Sequence, residues 1–197
     1  MRELSLHILD VVENGITAGA DMIRIRVEES RPADLLTIKI SDNGRGIPAE
    51  KLAKLQDPFV TSRTTRRVGL GLSLLAAAAE RCDGKLEVEA GTAGGTEVRV
   101  SFRHSHIDRA PMGDMASTMA TLLMGNPLID FEYRHIIDGN DFIVDTRELK
   151  KELGEHALED PMIIHQLGVS IRESLKQITS NSAKSGAREK NHGKIDD

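Results

Sequence analysis

The sequence predicts an α/β fold, a two-layer sandwich with helices on one face of a mixed β-sheet. Three observations predict it. Residues 22–27 and 35–40, and again 85–90 and 96–103, alternate apolar and polar as paired strands do. Helical patterns precede and separate these pairs, so the order is α, ββ, α, α, ββ, a layout that fits two packed layers. The first helix is apolar round most of its circumference and therefore needs cover.

The bulk properties fit a soluble globular chain. It has 197 residues, 39% hydrophobic and 29% charged, with no Trp and one Tyr, so the core must be aliphatic. A net charge of −5 gives no reason to expect a nucleic-acid partner or an anionic membrane surface. Cys82 is the only cysteine, which excludes an intrachain disulfide and any multi-cysteine metal site. There is no membrane-spanning run and no signal-peptide core, so a cytoplasmic protein is expected.

The first element spans 3–17. Glu3, His7, Asp10, Asn14 and Thr17 recur at spacings of 4, 3, 4 and 3 and form one polar line down the helix. That line reads equally as a solvent face or as the wall of a ligand pocket. Gly19 suits the helix C-terminus. The two strands that follow, joined over 30–34, end at Asp42-Asn43-Gly44-Arg45-Gly46. A carboxylate at a strand end, followed by glycines that permit close approach, can receive the amine of a flat ligand. Asn-Gly is also an ordinary turn signal, and the residues alone leave both readings open.

Pro48, Leu52 and Leu55 predict a short helix over 48–56. Next, Arg63, Arg66 and Arg67 precede Gly69-Leu70-Gly71-Leu72, which runs into an alanine-rich helix. A glycine-rich entry to a helix N-terminus can cradle phosphates, though a solvated basic loop before an ordinary helix has the same composition. The second strand pair closes over Gly91-Thr92-Ala93-Gly94-Gly95.

In this order and spacing the segments resemble the GHKL ATPase superfamily: DNA gyrase B, the heat-shock chaperone ATPase, MutL and the histidine kinases. The resemblance covers residues 4–103. Asp10 to Ala20 resembles the N box, Asp42 to Ile47 the first glycine box, Asp57 to Arg63 the phenylalanine box, Val68 to Ser73 the second glycine box, and Gly94-Gly95-Thr96 the last Gly-Thr element. It implies a Bergerat-type ATP-binding fold with ATP and Mg²⁺ as ligands. Asn14 would hold the magnesium and Asp42 would accept from the adenine amine. Gly44, Gly46 and Ile47 would admit the base, and Thr96 would support it. Gly69, Leu70, Gly71 and Leu72 would receive the phosphates, with Arg63, Arg66 and Arg67 as lid arginines. His7 reads as structural.

Two departures from the family pattern stand out. Asp10 occupies the position where ATPases of this superfamily carry a glutamate as general base. It is one methylene shorter, and catalytic groups tolerate little misplacement. The resemblance therefore implies binding more firmly than hydrolysis. Arg67 stands where histidine kinases have the first glycine of the second glycine box, and the short lid implies fast exchange. No Walker-type phosphate loop is present.

The resemblance implies an ATP-binding protein of histidine-kinase or anti-sigma-kinase type that passes the γ-phosphate to a regulatory partner protein, with Asp10 as the catalytic residue. The alternatives are a nucleotide-gated interaction module with little turnover and a MutL-like ATPase, which allows a homodimer. Because the N-box-like segment starts at once, no upstream phosphoacceptor domain is expected.

Three regions are expected: an ATP-binding domain at 1–103, a small αββαα extension at 104–178 packed on the ATPase layer, and a disordered polar tail at 179–197. His104 and His106, with Asp108, have a spacing that could bind a metal, though most such pairs bind none.

Overall fold

The computed structural model describes residues 3–47, 70–92 and 94–192. The helix expected at 48–56 lies outside them. The elements are α1 (Leu4–Thr17), β1 (Met22–Ser30), β2 (Leu35–Asp42), α2 (Leu70–Glu80), β3 (Leu86–Ala90), β4 (Thr96–Arg103), α3 (Met115–Gly125), β5 (Asp130–Ile137), β6 (Asn140–Asp145), α4 (Thr146–Leu153) and α5 (Pro161–His192). The strands form one mixed six-stranded sheet in the order β3-β4-β2-β1-β5-β6.

The alternation in sequence sorts the two faces. Ile23, Ile25 and Val27 of β1, Leu36, Ile38 and Ile40 of β2, and Val98, Val100 and Phe102 of β4 are all buried in one core. α1 and α2 pack over that side, and Leu4, Ile8, Val12, Leu75 and Ala79 complete the layer. The intervening residues, such as Arg24, Arg26 and Arg99, are exposed on the other face. Helices on one face of a mixed sheet is the expected fold class.

The C-terminal half is joined to this sheet far more closely than packing on a layer requires. β5 runs parallel to β1 along its length, from Met22 opposite Asp130 to Glu29 opposite Ile137. β1 is therefore an interior strand. Phe131 and Tyr133 of β5 are fully buried in the same core as Met115 and Met119 of α3, and Phe142 of β6 packs edge-on to Tyr133. A polar chain crosses the β1–β5 seam as well. Glu29 accepts from His135 Nε2 at 2.9 Å and from His104 Nε2 at 3.2 Å, and the Tyr133 hydroxyl lies 2.7 Å from His135 Nδ1. Burial pushes the Glu29 carboxyl up, but its two histidine partners outweigh that and hold it below its ordinary value.

α3 opens on an N-cap. Asp114 accepts from the Ser117 backbone N–H at 2.9 Å and from its hydroxyl at 2.7 Å. Those two bonds bring its pKa to about 2. α5 differs from expectation. The helix does not stop near Ile178, and residues 179–192, expected as a disordered tail, continue it. Ile164, Ile171 and Ile178 recur every seven residues on its buried side. The series is prolonged by Ser182, 2% exposed, whose hydroxyl donates to Asp138. Asp138 also accepts from the Arg31 N–H at 2.7 Å, so it ties the β1–β2 turn, the β5–β6 turn and α5 together. A polar composition hid a helix whose apolar positions end only one turn earlier.

Candidate nucleotide site

The site forms where α1, the end of β2 and the start of β4 meet. A cavity of about 410 Å³ opens there, with Asn14 and Thr17 of α1, Asp42, Ile47, Leu72 and Thr96 in its wall. The polar line on α1 is thus divided. His7 is buried, Asp10 is half-buried, and Asn14 and Thr17 are exposed to the cavity.

Asp42 is held rigidly. Its Oδ1 accepts from the Gly44 N–H at 2.9 Å and the Thr96 N–H at 3.3 Å. Among the described residues Oδ2 accepts no hydrogen bond, which leaves one carboxylate oxygen free to receive a donor. Its orientation depends on two glycines. A Cβ at Gly15 of α1 would lie 3.0 Å from Asp42 Cβ and 3.4 Å from Oδ2. A Cβ at Gly95 would lie 2.6 Å from Oδ1, and Gly95 has φ +69°. The turn itself is clasped from both sides. The Arg45 N–H donates to the Ala18 carbonyl at 3.1 Å. The Asn43 side chain accepts from the Asp21 and Met22 N–H groups at 3.1 and 3.0 Å.

The glycines of this turn serve the protein's own packing. A Cβ at Gly44 would meet the Ala18 carbonyl at 2.9 Å, and one at Gly46 the Gly95 carbonyl at 2.8 Å. Gly46 lines the cavity, while Gly44 stands behind it against α1.

The other end of the site is the start of α2. A Cβ at Gly71 would lie 3.0 Å from Asp10 Cβ and 3.1 Å from its Oδ2. Gly71 therefore lets α2 begin directly against the Asp10 carboxylate. Neither residue lines the cavity, and both adjoin the helix end that can receive an anion. Leu70 is the first residue of α2. Arg63, Arg66, Arg67 and Gly69 lie outside the described residues.

Of the residues expected from sequence, the structure gathers Asn14, Asp42, Gly46, Ile47, Leu72 and Thr96 around one cavity and sets Asp10 against Gly71. Sequence reasoning missed Gly15, Asn43 and Gly95 as the residues that aim Asp42. A signal existed for Gly15, since glycine inside a helix costs about 1 kcal/mol relative to alanine and wants a packing reason.

His104 and His106 are accounted for otherwise. His104 bonds Glu29, and His106 lies 4.0 Å from Asp83. Among the described residues no group of three potential metal ligands occurs. Nor is any described helix long and apolar enough to cross a membrane.

The residues present fit a purine nucleotide with a divalent cation. The apolar wall of Ile40, Ile47, Leu72 and Val98 suits a flat base, and Asp42 offers an acceptor at its edge. Asn14, whose side chain makes no hydrogen bond among the described residues, offers a hard oxygen of the kind Mg²⁺ takes.

The "Non-motile and phage-resistance protein" of Caulobacter vibrioides is 32% identical over 117 residues, 55% of this chain. The "Sensor protein kinase FleS" of Pseudomonas aeruginosa is 41% identical over 58 residues, 29% of this chain. The match covers 14% of the length of each of these relatives. The Aquifex aeolicus MutL ATPase domain complexed with ADP superposes with a TM-score of 0.46 and 14% identity, over 79% of this chain and 69% of that one. The family model for histidine kinase-, DNA gyrase B-, and HSP90-like ATPases matches residues 2–106, more than half of the sequence. The chain belongs to this ATPase family.

Proposed function

We propose that the chain is a cytoplasmic, ATP- and Mg²⁺-dependent protein kinase that passes the γ-phosphoryl group to a regulatory partner protein. The observation that carries the reading is the fixed Asp42 carboxylate, one oxygen bonded to two backbone N–H groups and the other without a partner among the described residues, at the wall of a cavity of about 410 Å³. Kinship with a sensor protein kinase supports it.

Each residue then has a physical task. Asp42 accepts from the base amine, Thr96 and Ile47 hold the ring, and Asn14 holds the cation. The cation neutralises phosphate charge when bound. The start of α2, with Gly71, Leu72 and the preceding arginines Arg63, Arg66 and Arg67, receives phosphate oxygens. Asp10 orients the acceptor hydroxyl or imidazole and takes its proton as the new P–O or P–N bond forms and the bond to the ADP oxygen breaks. Such catalysis is positioning plus electrostatics.

The test is transfer of label from γ-labelled ATP to protein in a cell extract. A band labelled by the wild type is expected to be lost with Asp10→Asn, while calorimetry shows ATP affinity within about threefold of wild type. A band that persists with Asp10→Asn, or no band above an Asn14→Ala control, contradicts the proposal.

A further inference from the structure

The six-stranded sheet ends in two edges, β3 and β6. They are finished differently. β3 carries Glu87 and Glu89, so centred pairing with a copy of itself would set one glutamate opposite the other. β6 has no Lys, no Pro and, by its unbroken register with β5, no bulge. Those are devices that keep an edge strand from pairing again. Its two acids, Asp141 and Asp145, are each bonded to an arginine, Arg134 and Arg147. Ile143 between them is 56% exposed.

The hydrogen-bond phase of the β5–β6 hairpin decides which groups that edge offers. In β5 the Asp130 and Asp138 N–H groups donate towards β1, to the Asp21 and Glu29 carbonyls at 2.8 and 2.9 Å. The Phe131 N–H points the other way, to the Thr146 hydroxyl just past the end of β6. Odd-numbered residues of β5 therefore bond β6, through Val144, Phe142 and Asn140. The Asp138-Gly139 turn, with φ +46° and +82°, closes on the same Ile137–Asn140 pair. Asp141 and Ile143 are left with N–H and C=O directed away from the sheet. Among the described residues none of these backbone groups is bonded.

We infer that β6 pairs antiparallel with β6 of a second copy of this chain, about a two-fold axis between their Phe142 residues, and joins the two sheets into one. In that register Asp141 faces the partner's Ile143, and Ile143 the partner's Asp141. Each of these pairs exchanges two N–H···O bonds, which uses every free N–H and C=O of Asp141 and Ile143 on both chains. Charge selects the register. Of the neighbouring registers that keep the pleat in phase, centring on Ile143 sets Asp141 against the partner's Asp145. Centring on Asp141 sets it against the partner's Asp141. Both are like-charge contacts, and pairing about Phe142 has none. The face under α5 agrees. There Ser174, Gln177 and Asn181, all uncharged, line a cavity of about 360 Å³ beside Asn140 and Phe142. The register brings the partner's Val144 opposite Asn140, at that cavity. The inference does not depend on what the nucleotide cavity binds.

The test is sedimentation velocity of the full chain without nucleotide, from about 10 µM to about 1 mM, because an interface built on one strand pair is weak. The wild type is expected to pass from the 21.6 kDa monomer to a dimer across that range. Ile143→Pro removes an outward N–H and no bond to β5, and is expected to weaken association at least about tenfold. Circular dichroism checks folding. Should that variant unfold, Ile143→Asp, which sets two carboxylates face to face, is expected to have the same effect. Adding Asp141→Lys to Ile143→Asp sets lysine opposite aspartate and is expected to restore association to within about threefold of wild type. A wild type that stays monomeric throughout, a dimer undiminished in folded Ile143→Pro, or a double variant that associates no more tightly than Ile143→Asp overturns the proposal.

Discussion

Asp42 is informative because its two oxygens do different work. Oδ1 is committed to the Gly44 and Thr96 N–H groups, so the carboxylate cannot swing. Gly15 beneath it sets its height. We predict that Gly15→Ala leaves thermal stability within about 1 kcal/mol of wild type, because the gain in helix propensity offsets the crowding. Nucleotide affinity is nonetheless expected to fall at least about fivefold, because the new methyl displaces Asp42. Melting and calorimetry on the same sample check both halves, and unchanged affinity would show that Gly15 does not aim the carboxylate. The strand end at Asp42 was legible in sequence, but its Asp-Asn-Gly-x-Gly run read equally as a turn, and only the resemblance gave the carboxylate a ligand. Gly95 and Asn43 were not legible as its supports. Their contacts, the Asp42 main chain and the Asp21–Met22 N–H groups, depend on how separate segments meet.

At the scale of elements, α1 shows what periodicity settles and what it leaves open. The spacing of Glu3, His7, Asp10, Asn14 and Thr17 placed them on one line, but not which of them faces the cavity. α2 packing along α1 makes that division. His7 is 4% exposed and its Nδ1 has no hydrogen-bond partner among the described residues. Burial holds its pKa below 6.5. The sign follows from proton uptake: between the folded value and 6.5 the unfolded chain binds the extra proton and the folded chain does not. Stability from this group is therefore full above pH 6.5 and declines as pH falls below it. We predict that His7→Leu, which removes an unsatisfied buried polar atom, stabilises the protein by about 1 kcal/mol at pH 7. It should also flatten the loss of stability as pH falls below 6.5. Denaturant melts across that range check it, and a variant less stable at pH 7 contradicts it. In α3 the Asp114 cap makes a simpler prediction. Asp114→Ala should cost about 1 kcal/mol in the same melts, and an unchanged midpoint contradicts it.

For the whole molecule, the finding that sequence could not supply is the β1–β5 pairing. Both strands were legible as strands, but their parallel register joins residues more than a hundred apart, and no local pattern encodes it. The tail was misread for a related reason: Ser182 is polar, yet it is buried against Asp138 of a hairpin that sequence placed in another unit. A chain of residues 1–103 would lose the cover on β1 and expose its hydrogen-bonding edge. We predict that this fragment, unlike residues 1–184, is insoluble or melts without a cooperative transition. A soluble fragment with a sharp melt would show that the first half folds alone.

The central claim is that Asp42 reads the base of a bound nucleotide, and titration of ATP and GTP with Mg²⁺ into wild type and Asp42→Asn tests it most directly. Adenine presents an amine where guanine presents a carbonyl oxygen, so a carboxylate acceptor favours the first and repels the second. The account predicts that wild type binds ATP at least about tenfold more tightly than GTP and that Asp42→Asn loses most of that difference. Equal affinity of wild type for the two nucleotides, or equal ATP affinity of wild type and variant, would contradict it.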